Sequence, residues 1–403
     1  MRGLFVKSLT PLGEPNFRIL WFTFVLANIA MWMFDTTATL YLVASGASPL
    51  EIALVQTASA LPVFLLGIPS GALADLVCRR KLYLFAQFAL FLGSLAMFLF
   101  MQFSIVTSGT ILLFVFLYGI GFSLRWPAYA SMVPLSLPRA MLQQAFALNS
   151  AAMNLARIIG PVVAGWLFIT YTGALAFLAI SLISLYAFFL MLKSNIPGNP
   201  SSFSVSRIFP AIKEGAVVCW RSKVVRQVLL LVFFFFFSGI STIALAAIVG
   251  LQWLPSNALA YSFLLSSMGL GAISAVMLLP FLGRKLDTRT LLNVSLTTQG
   301  ILIMLLSVIR NEMSLYLLFF ASGFFWVCVV SILTVTIQMA LDNSYRARGM
   351  SFYQICIMGG SAAGASAWGT LSTYLSLEAA FLTSGAMLLT SLFIPFSAKQ
   401  INS

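Results

Sequence analysis

Twelve apolar stretches, each about 20 residues long or longer, constrain this chain more than any other feature. A helix needs about 20 largely apolar residues to cross the roughly 30 Å hydrocarbon core of a bilayer. Runs such as 228–237 lack the alternation of apolar and polar residues that membrane β-strands show. The sequence therefore predicts an all-α membrane protein with twelve transmembrane helices. The predicted spans are 19–44, 50–74, 82–103, 109–134, 144–169, 174–192, 227–250, 258–282, 290–309, 313–340, 350–373 and 378–396.

Composition and charge support the same interpretation. With 61% hydrophobic and 8% charged residues, a soluble fold of 403 residues would lack the polar groups to cover its surface. The net charge of +13 does not indicate a nucleic-acid partner, because all but three of the 22 Lys and Arg residues fall on one side of the predicted membrane. By the positive-inside rule, that side is the cytoplasm and holds both termini. We expect a multi-pass protein of the bacterial inner membrane.

Neither a signal-peptide pattern nor a cysteine motif is evident in the sequence. The first apolar run is too long for a signal-peptide core, so we expect it to remain as a span. The four cysteines are far apart and form no C-x-x-C pattern, which argues against disulfides and metal clusters. We expect neither a metal nor a cofactor.

A polar segment divides the chain into two halves. The segment covers residues 193–226, between a predicted bundle at 1–192 and a second at 227–403. Shifting the sequence by 204 residues superposes glycines and a basic pair, which predicts two pseudo-symmetric six-helix bundles. The superposed pairs include Gly119 with Gly323, Gly160 with Gly364, and Arg80-Lys81 with Arg284-Lys285. Within the segment, Ile208, Ile212, Ala216 and Cys219 recur at helical spacing, as in an interfacial helix, although an ordinary tether fits as well.

A motif follows the second span. Gly71, Asp75, Arg79 and Arg80 match the cytoplasmic signature Gly-x-x-x-Asp-Arg-x-Gly-Arg-Arg, while Leu76 and Cys78 replace its other Arg and Gly. The chain thereby resembles the major facilitator superfamily. The resemblance implies that Asp75 meets the start of the eleventh span and holds the outward-facing state. The alternative is that these charges only set topology.

A second motif lies in the fifth span. Gly160, Pro161 and Gly165 resemble the Gly-Pro-x-x-Gly-Gly motif of proton-driven exporters in that superfamily, with Ala164 replacing one glycine. Proline removes a backbone hydrogen bond and small residues allow close helix approach, so a bend is expected here. Tight packing alone would also explain the pattern.

Further segments resemble the bacterial subgroup that includes the enterobactin exporter. They cover most of the chain, and the resemblance implies export without naming a substrate. The segments include Gly119-x-Gly121, 145–150, and Arg346-Ala347-Arg348-Gly349.

Three ionisable residues lie well inside predicted spans: Asp35, Arg125 and Arg157. Placing such a group in a bilayer costs at least about 2.5–3.5 kcal/mol, so these residues are candidates for a functional site. Asp35 is the candidate for proton coupling, with Arg157 at the more similar depth; a permanent ion pair is the alternative. Arg125 and Arg157 are candidates for binding an anionic substrate group, although Arg125 fits a side chain that snorkels to the cytoplasm equally well.

The superfamily resemblance implies a central cavity lined by spans one, four, seven and ten. Aromatic walls with few polar groups suit amphipathic cargo, although each side chain fits ordinary packing equally well. The substrate-binding candidates on those spans are Asn28, Trp32, Tyr118, Trp126, Trp326 and Gln338.

Enzymatic machinery is not visible in the sequence. The chain has no His, no phosphate-binding loop and no G-x-S-x-G motif, so we do not expect an enzyme. We predict a monomeric, proton-coupled exporter that alternates access for a siderophore or drug-like molecule. An importer, a lysolipid flippase, and a membrane receptor or scaffold without net flux are the alternatives.

Overall fold

The computed structural model describes residues 10–196, 208–254, 257–341, 343–394 and 396. Within these ranges every regular element is a helix, which confirms the all-α prediction. Seven helices form the first part: α1 (Pro15–Ala44), α2 (Pro49–Leu76), α3 (Arg79–Gln102), α4 (Ser108–Met132), α5 (Leu142–Thr170), α6 (Gly173–Leu192) and α7 (Ile208–Arg221). Eight follow: α8 (Lys223–Gly239), α9 (Ser241–Ala244), α10 (Ala246–Trp253), α11 (Asn257–Lys285), α12 (Thr288–Leu305), α13 (Glu312–Met339), α14 (Asn343–Tyr374) and α15 (Leu377–Thr390).

Nine segments of the described residues are long and apolar enough to cross a bilayer. They coincide with nine of the predicted spans. The predicted ninth, eleventh and twelfth spans correspond to α12, α14 and α15. The α12 and α14 helices carry more Ser, Thr, Gln and Gly, and α15 has only 14 residues. These polar side chains lower the hydropathy of α12 and α14.

The predicted seventh span is not one regular helix. It consists of α8, α9 and α10, separated by turns at Ile240 and Leu245. At both turns the backbone tightens: the N–H of Ile243 donates to the carbonyl of Ile240 at 3.0 Å, and that of Ile248 donates to Leu245 at 3.1 Å. Such i→i+3 bonds inside a span often mark a place where the helix direction changes.

Several spans begin at a capping side chain that accepts a hydrogen bond from a backbone N–H three residues on. Such caps satisfy a helix donor that would otherwise lack a partner. Two pairs of caps are related by the 204-residue shift found in the sequence, which supports the duplicated unit. These pairs are Thr107 with Asn311, and Thr172 with Ser376.

The described residues fall into two compact units. Unit 1 comprises Met1–Ala38 and Leu65–Val205; unit 2 comprises Thr39–Phe64 and Ser206–Ser403. In unit 1, α3 packs along α4 and α6, and α5 packs on α6. The domain boundaries proposed from the sequence, 1–192 and 227–403, remain a prediction.

Close helix crossings in unit 2 depend on glycine. The α11 and α13 helices pack at Gly271 and Gly323, where an added Cβ would overlap the backbone of Phe320 and Met268. Gly364 lets α14 approach α8 in the same way, at the carbonyl of Phe237. Small residues at such crossings bring helix backbones into van der Waals contact, which drives helix association in lipid.

The first half of α2 belongs to unit 2, where it packs along the second half of α14. The Thr57 hydroxyl donates to the Ala362 carbonyl at 3.0 Å and lies 2.9 Å from the Ser366 hydroxyl. Near the start of α2, the N–H of Leu50 donates to the Thr373 hydroxyl at 2.9 Å. We call these hydrogen bonds the α2–α14 contact.

Candidate functional site

Unit 1 brings an acidic, a phenolic and a basic side chain into one buried polar cluster: Asp35, Tyr118 and Arg125. Asp35 is 8% exposed on α1, and Arg125 is 1% exposed on α4. The Tyr118 ring stacks on Phe34, the neighbour of Asp35, with centroids 4.2 Å apart. Electrostatic interactions link Tyr118 with both Arg125 and Asp35. Tyr118 thus lies within electrostatic range of two of the three ionisable residues predicted from the sequence.

Arg125 has an unusual environment for a guanidinium. Its Nε and Nη1 atoms are buried and have no hydrogen-bond acceptor within the described part of the chain. The guanidinium lies over the Phe122 ring, 5.3 Å from its centroid. A cation–π contact recovers only part of the hydration that burial removes, so Arg125 retains capacity to bind an acceptor. Because the side chain is almost completely buried, the structure does not show it reaching toward an aqueous surface.

Arg157 occupies a second position in unit 1, where α5 crosses α1. Its guanidinium lies 5.3 Å from the centroid of Trp32, and its buried Nε lacks an acceptor within the described ranges. Gly160, one turn further, allows the close crossing because a Cβ there would lie 2.6 Å from the Cβ of Trp32. The predicted pairing of Arg157 with Asp35 remains a prediction.

Aromatic rings continue from this cluster along α1 and α4. Phe24 stacks on Tyr129 at 4.2 Å, and Trp126 lies 5.7 Å from Phe24. The Asn28 side-chain amide donates to the Phe24 carbonyl at 2.7 Å, while its buried Oδ1 has no donor within the described residues. These side chains form an aromatic surface with a few polar atoms.

The two candidates on the second half of the chain lie in unit 2. Trp326 is 5% exposed and packs edge-on against Phe235 and Phe236, at 5.0 and 5.1 Å. Gly239 lies directly against its ring. Gln338 is partly buried near the end of α13. Trp326 is therefore part of the core packing of its unit.

The structure describes the two arginines of the first motif, Arg79 and Arg80, at the start of α3. Arg80 donates from Nη2 to the Leu192 carbonyl at 2.7 Å, linking the start of α3 to the end of α6, where a cation is favoured by the helix dipole. Arg79 is partly buried, and an added Cβ at Gly71 would meet open space. The side chain of Asp75 lies outside the described part of the structure, so its predicted gating contact remains a prediction.

In the second motif, α5 continues without interruption through Pro161. Gly160, Pro161 and Gly165 are all buried. The close crossing at Gly160 agrees with the packing interpretation of this motif, while its role in proton-driven export remains a prediction.

Two polar contacts were not anticipated from the sequence. The Tyr129 hydroxyl donates to Oδ1 of Asn149 at 2.6 Å, joining α4 to α5. The Trp368 indole N–H donates to the Phe237 carbonyl at 2.6 Å, beside the turn between α8 and α9. The dipeptide Ser238-Gly239 inside an apolar run is the sequence signal that indicates this turn.

Metal-binding chemistry has no visible counterpart in the described ranges. No group of three or more Cys, Asp or Glu side chains there has the geometry to hold a metal ion. Cys78, Cys219, Cys328 and Cys356 are all free thiols. The ionisable groups inside the spans are thus the chemically distinctive feature of this part of the molecule.

Comparisons with known proteins agree with this architecture. A model of the family described as transmembrane secretion effector (MFS_3) matches residues 6–401. A POT family transporter solved with 5-aminolevulinic acid is similar, with a TM-score of 0.76, 14% identity and 94% of both chains covered. A peptide transporter POT with sulfate has a TM-score of 0.76 and 16% identity, covering 94% of this chain and 93% of that chain.

A variant of the nucleoside transporter NupG is also similar, with a TM-score of 0.73, 11% identity, and 94% and 98% of the two chains covered. No curated protein matches the sequence. At these identities the solved structures show the fold alone, which confirms the predicted fold class.

Proposed function

Because the chain belongs to the transmembrane secretion effector family of the major facilitator superfamily, we propose that it is a secondary active transporter that exports small amphipathic molecules in exchange for protons. In this proposal it acts as a monomer in the bacterial inner membrane with both termini in the cytoplasm. Siderophores and drug-like molecules are the proposed cargo. The family and fold indicate a transporter rather than an enzyme.

The buried polar cluster of Asp35, Tyr118 and Arg125 carries this proposal. Asp35 is the only acidic residue of the sequence that lies well inside a predicted span, and the chain has no His. Desolvation favours the neutral form of a buried carboxyl group, whereas a nearby guanidinium favours the charged form. A carboxyl group under both influences is suited to gain and lose a proton when its surroundings change.

The neighbouring side chains support an amphipathic cargo. The rings of Phe24, Trp126 and Tyr129 offer apolar surface. The guanidinium nitrogens of Arg125 and Arg157 that have no acceptor among the described residues offer hydrogen-bond donors. A ligand that is mostly apolar, with a few acceptor oxygens, matches this combination. Asn28, Trp32, Trp326 and Gln338 remain proposed contacts.

Transport in energised inverted vesicles tests this proposal. We expect wild-type vesicles to accumulate a cargo from a panel of siderophores and drugs, and a protonophore to abolish the accumulation. Asp35→Asn is expected to lower accumulation to the level of uncoupled vesicles, because an amide cannot exchange the proton. Cargo binding by the purified Asp35→Asn variant separates loss of coupling from loss of the site.

Asp287→Asn is the matched control. Asp287 is exposed and caps α12 by accepting a hydrogen bond from the N–H of Thr290 at 3.1 Å, a role that asparagine also fills. This variant should transport like the wild type. Normal gradient-driven accumulation by Asp35→Asn would show that the coupling group lies elsewhere. Accumulation only in right-side-out vesicles would show import.

A further inference from the structure

The α7 helix is fixed to the start of α14 by polar contacts. Nη1 of Arg348 lies 2.7 Å from Oε2 of Glu214, and the Tyr345 hydroxyl donates to Oε1 at 3.1 Å. Cys219, 4% exposed, is buried on the same side of the helix, close to Gly349. One side of α7 therefore packs against the rest of unit 2. These contacts do not account for the residues on its other side.

The other side of α7 combines cations with exposed apolar groups. Lys213, Val217, Trp220 and Arg221 follow helical spacing and are all exposed, Trp220 by 73%. The Arg226 guanidinium lies over the Trp220 ring at 5.7 Å. Basic residues flanking apolar ones on one helix face are typical of helices that lie in a bilayer interface.

A pocket opens between this face and the contact with α14. It has a volume of about 490 Å³ and is lined by Lys213, Glu214, Val217, Val218, Arg221 and Tyr345. Glu214 is already paired with Arg348, whereas Lys213 and Arg221 form no ion pair within the described residues. The pocket therefore has an excess of positive charge beside an apolar wall, which matches an anion that carries an apolar group.

The chain itself places this pocket near lipid head groups. Ser222 caps α8 by accepting a hydrogen bond from the N–H of Val225, and α8 begins the seventh membrane span one residue later. Arg221 is therefore two residues from the start of that span. Trp is favoured at this depth because its ring is apolar while its N–H can reach polar groups.

We infer that this pocket binds the phosphate of an anionic phospholipid. Lys213 and Arg221 bind the phosphate oxygens, and Val217 contacts the glycerol. Trp220, which lies beside the pocket on the same helix, contacts the adjoining methylenes. The lipid then joins α7 to the membrane surface while Glu214 joins α7 to α14. This inference does not depend on the cargo, the coupling ion or the direction of transport.

Quenching of Trp220 fluorescence in nanodiscs tests this inference. The Trp220 signal is the fluorescence of the wild type minus that of Trp220→Phe. The quenching lipids carry bromine near the head-group end of the acyl chain. We expect brominated phosphatidylglycerol, diluted into phosphatidylcholine, to quench more than the same amount of brominated phosphatidylcholine. Since each basic residue contributes about 1 kcal/mol, removing both should weaken the preference by roughly 30-fold.

The variant Lys213→Gln/Arg221→Gln should therefore show equal quenching by the two lipids. Lys213→Arg/Arg221→Lys retains both charges and should keep the preference, which guards against loss of folding. Arg284→Gln/Lys285→Gln removes two exposed charges outside the pocket and should also keep it.

Equal quenching by the two lipids in the wild type would overturn the inference, as would a preference that survives in Lys213→Gln/Arg221→Gln. Inorganic phosphate is the remaining source of the same chemistry. If the wild type binds inorganic phosphate through Lys213 and Arg221 but shows no preference for phosphatidylglycerol, the pocket is a site for free phosphate and the lipid assignment is wrong.

Discussion

At the scale of residues, the buried guanidinium of Arg125 lowers the stability of the fold and is a proposed ligand-binding group. Its buried Nε and Nη1 have no acceptor within the described structure, and Phe122 provides only a ring face. Each buried donor without a partner destabilises a fold by about 1–3 kcal/mol. We therefore expect these nitrogens of Arg125 to bind the cargo.

Replacing Arg125 with Met should therefore raise stability and reduce binding. Methionine has a similar length and no donor to satisfy, so we expect the apparent Tm of the purified protein to rise. Cargo affinity should fall by about tenfold to a hundredfold, because hydrogen bonds to charged groups contribute roughly 1.5–3 kcal/mol. Thermal unfolding and equilibrium binding in the same detergent measure both effects.

Arg310→Met is the control for this substitution. The Arg310 guanidinium lies 2.7 Å from Glu378 and 3.6 Å from the centroid of Trp253, so it is well satisfied. Its loss should not raise the Tm. A lower Tm in Arg125→Met would show instead that Arg125 has a structural role.

Sequence reasoning works best for residues whose environment follows from chain position alone. Asp35 and Arg125 are visible because a charge inside an apolar run is conspicuous. The Trp368 hydrogen bond to Phe237 is not visible, since it joins residues 131 positions apart in the sequence. Trp326 was correctly placed on a span, but only packing shows that its ring lies against Gly239.

At the scale of elements, α7 shows how an acidic residue fixes a helix. The pKa of Glu214 is lowered by hydrogen bonds from Arg348 and Tyr345 and by the charge of Arg348. A lowered pKa in the folded state means that the interaction is fully present above the ordinary carboxyl pKa. The interaction is lost as the pH falls through the lowered value.

Glu214→Gln should loosen the contact between α7 and α14 at neutral pH. We expect faster amide hydrogen exchange in the peptide that covers residues 213–221, because the amide cannot form the ion pair with Arg348. Acidification should accelerate exchange in the wild type, after correction for the intrinsic rate, and have little further effect on the variant. Glu378→Gln, which removes an exposed pair elsewhere, should leave this peptide unchanged.

The turns between α8, α9 and α10 mark the limit of prediction at this scale. Hydropathy identifies the span, and Ser238-Gly239 indicates the first turn, but the turn at Leu245 lies among Ile, Ala and Val residues and has no such signal. Another helix contacts the span beside the first turn, where Gly364 approaches Phe237 and Ile240. Such contacts become visible only when the helices are packed.

At the scale of the molecule, the α2–α14 contact relates the structure to the proposed transport cycle. A cycle in which two bundles rock around a central site requires helices of different bundles to separate and meet again. The first half of α2 lies with unit 2 while its second half lies with unit 1. The bundles predicted from the sequence, 1–192 and 227–403, place α2 and α14 in different bundles. In the proposed cycle of these bundles, α2 leaves α14 once per turnover.

A disulfide across this contact should stop transport. The Thr57 and Ser366 hydroxyls are 2.9 Å apart, so cysteines at both positions are placed to form a bond after modest adjustment. We expect Thr57→Cys/Ser366→Cys, with the four native cysteines changed to Ser, to lose transport on oxidation and regain it on reduction. Variants that carry only Thr57→Cys or only Ser366→Cys in the same background should transport equally well before and after oxidation. Full transport by the cross-linked protein would contradict alternating access through this contact.

The paired helix caps have a consequence for the predicted internal repeat. Thr107 and Asn311 occupy equivalent places in its two halves, and so do Thr172 and Ser376. In each pair the side chains differ, yet both accept the same backbone hydrogen bond. A helix start in such a repeat therefore needs only a side-chain oxygen that accepts this bond, so the residue that supplies it can differ between the halves.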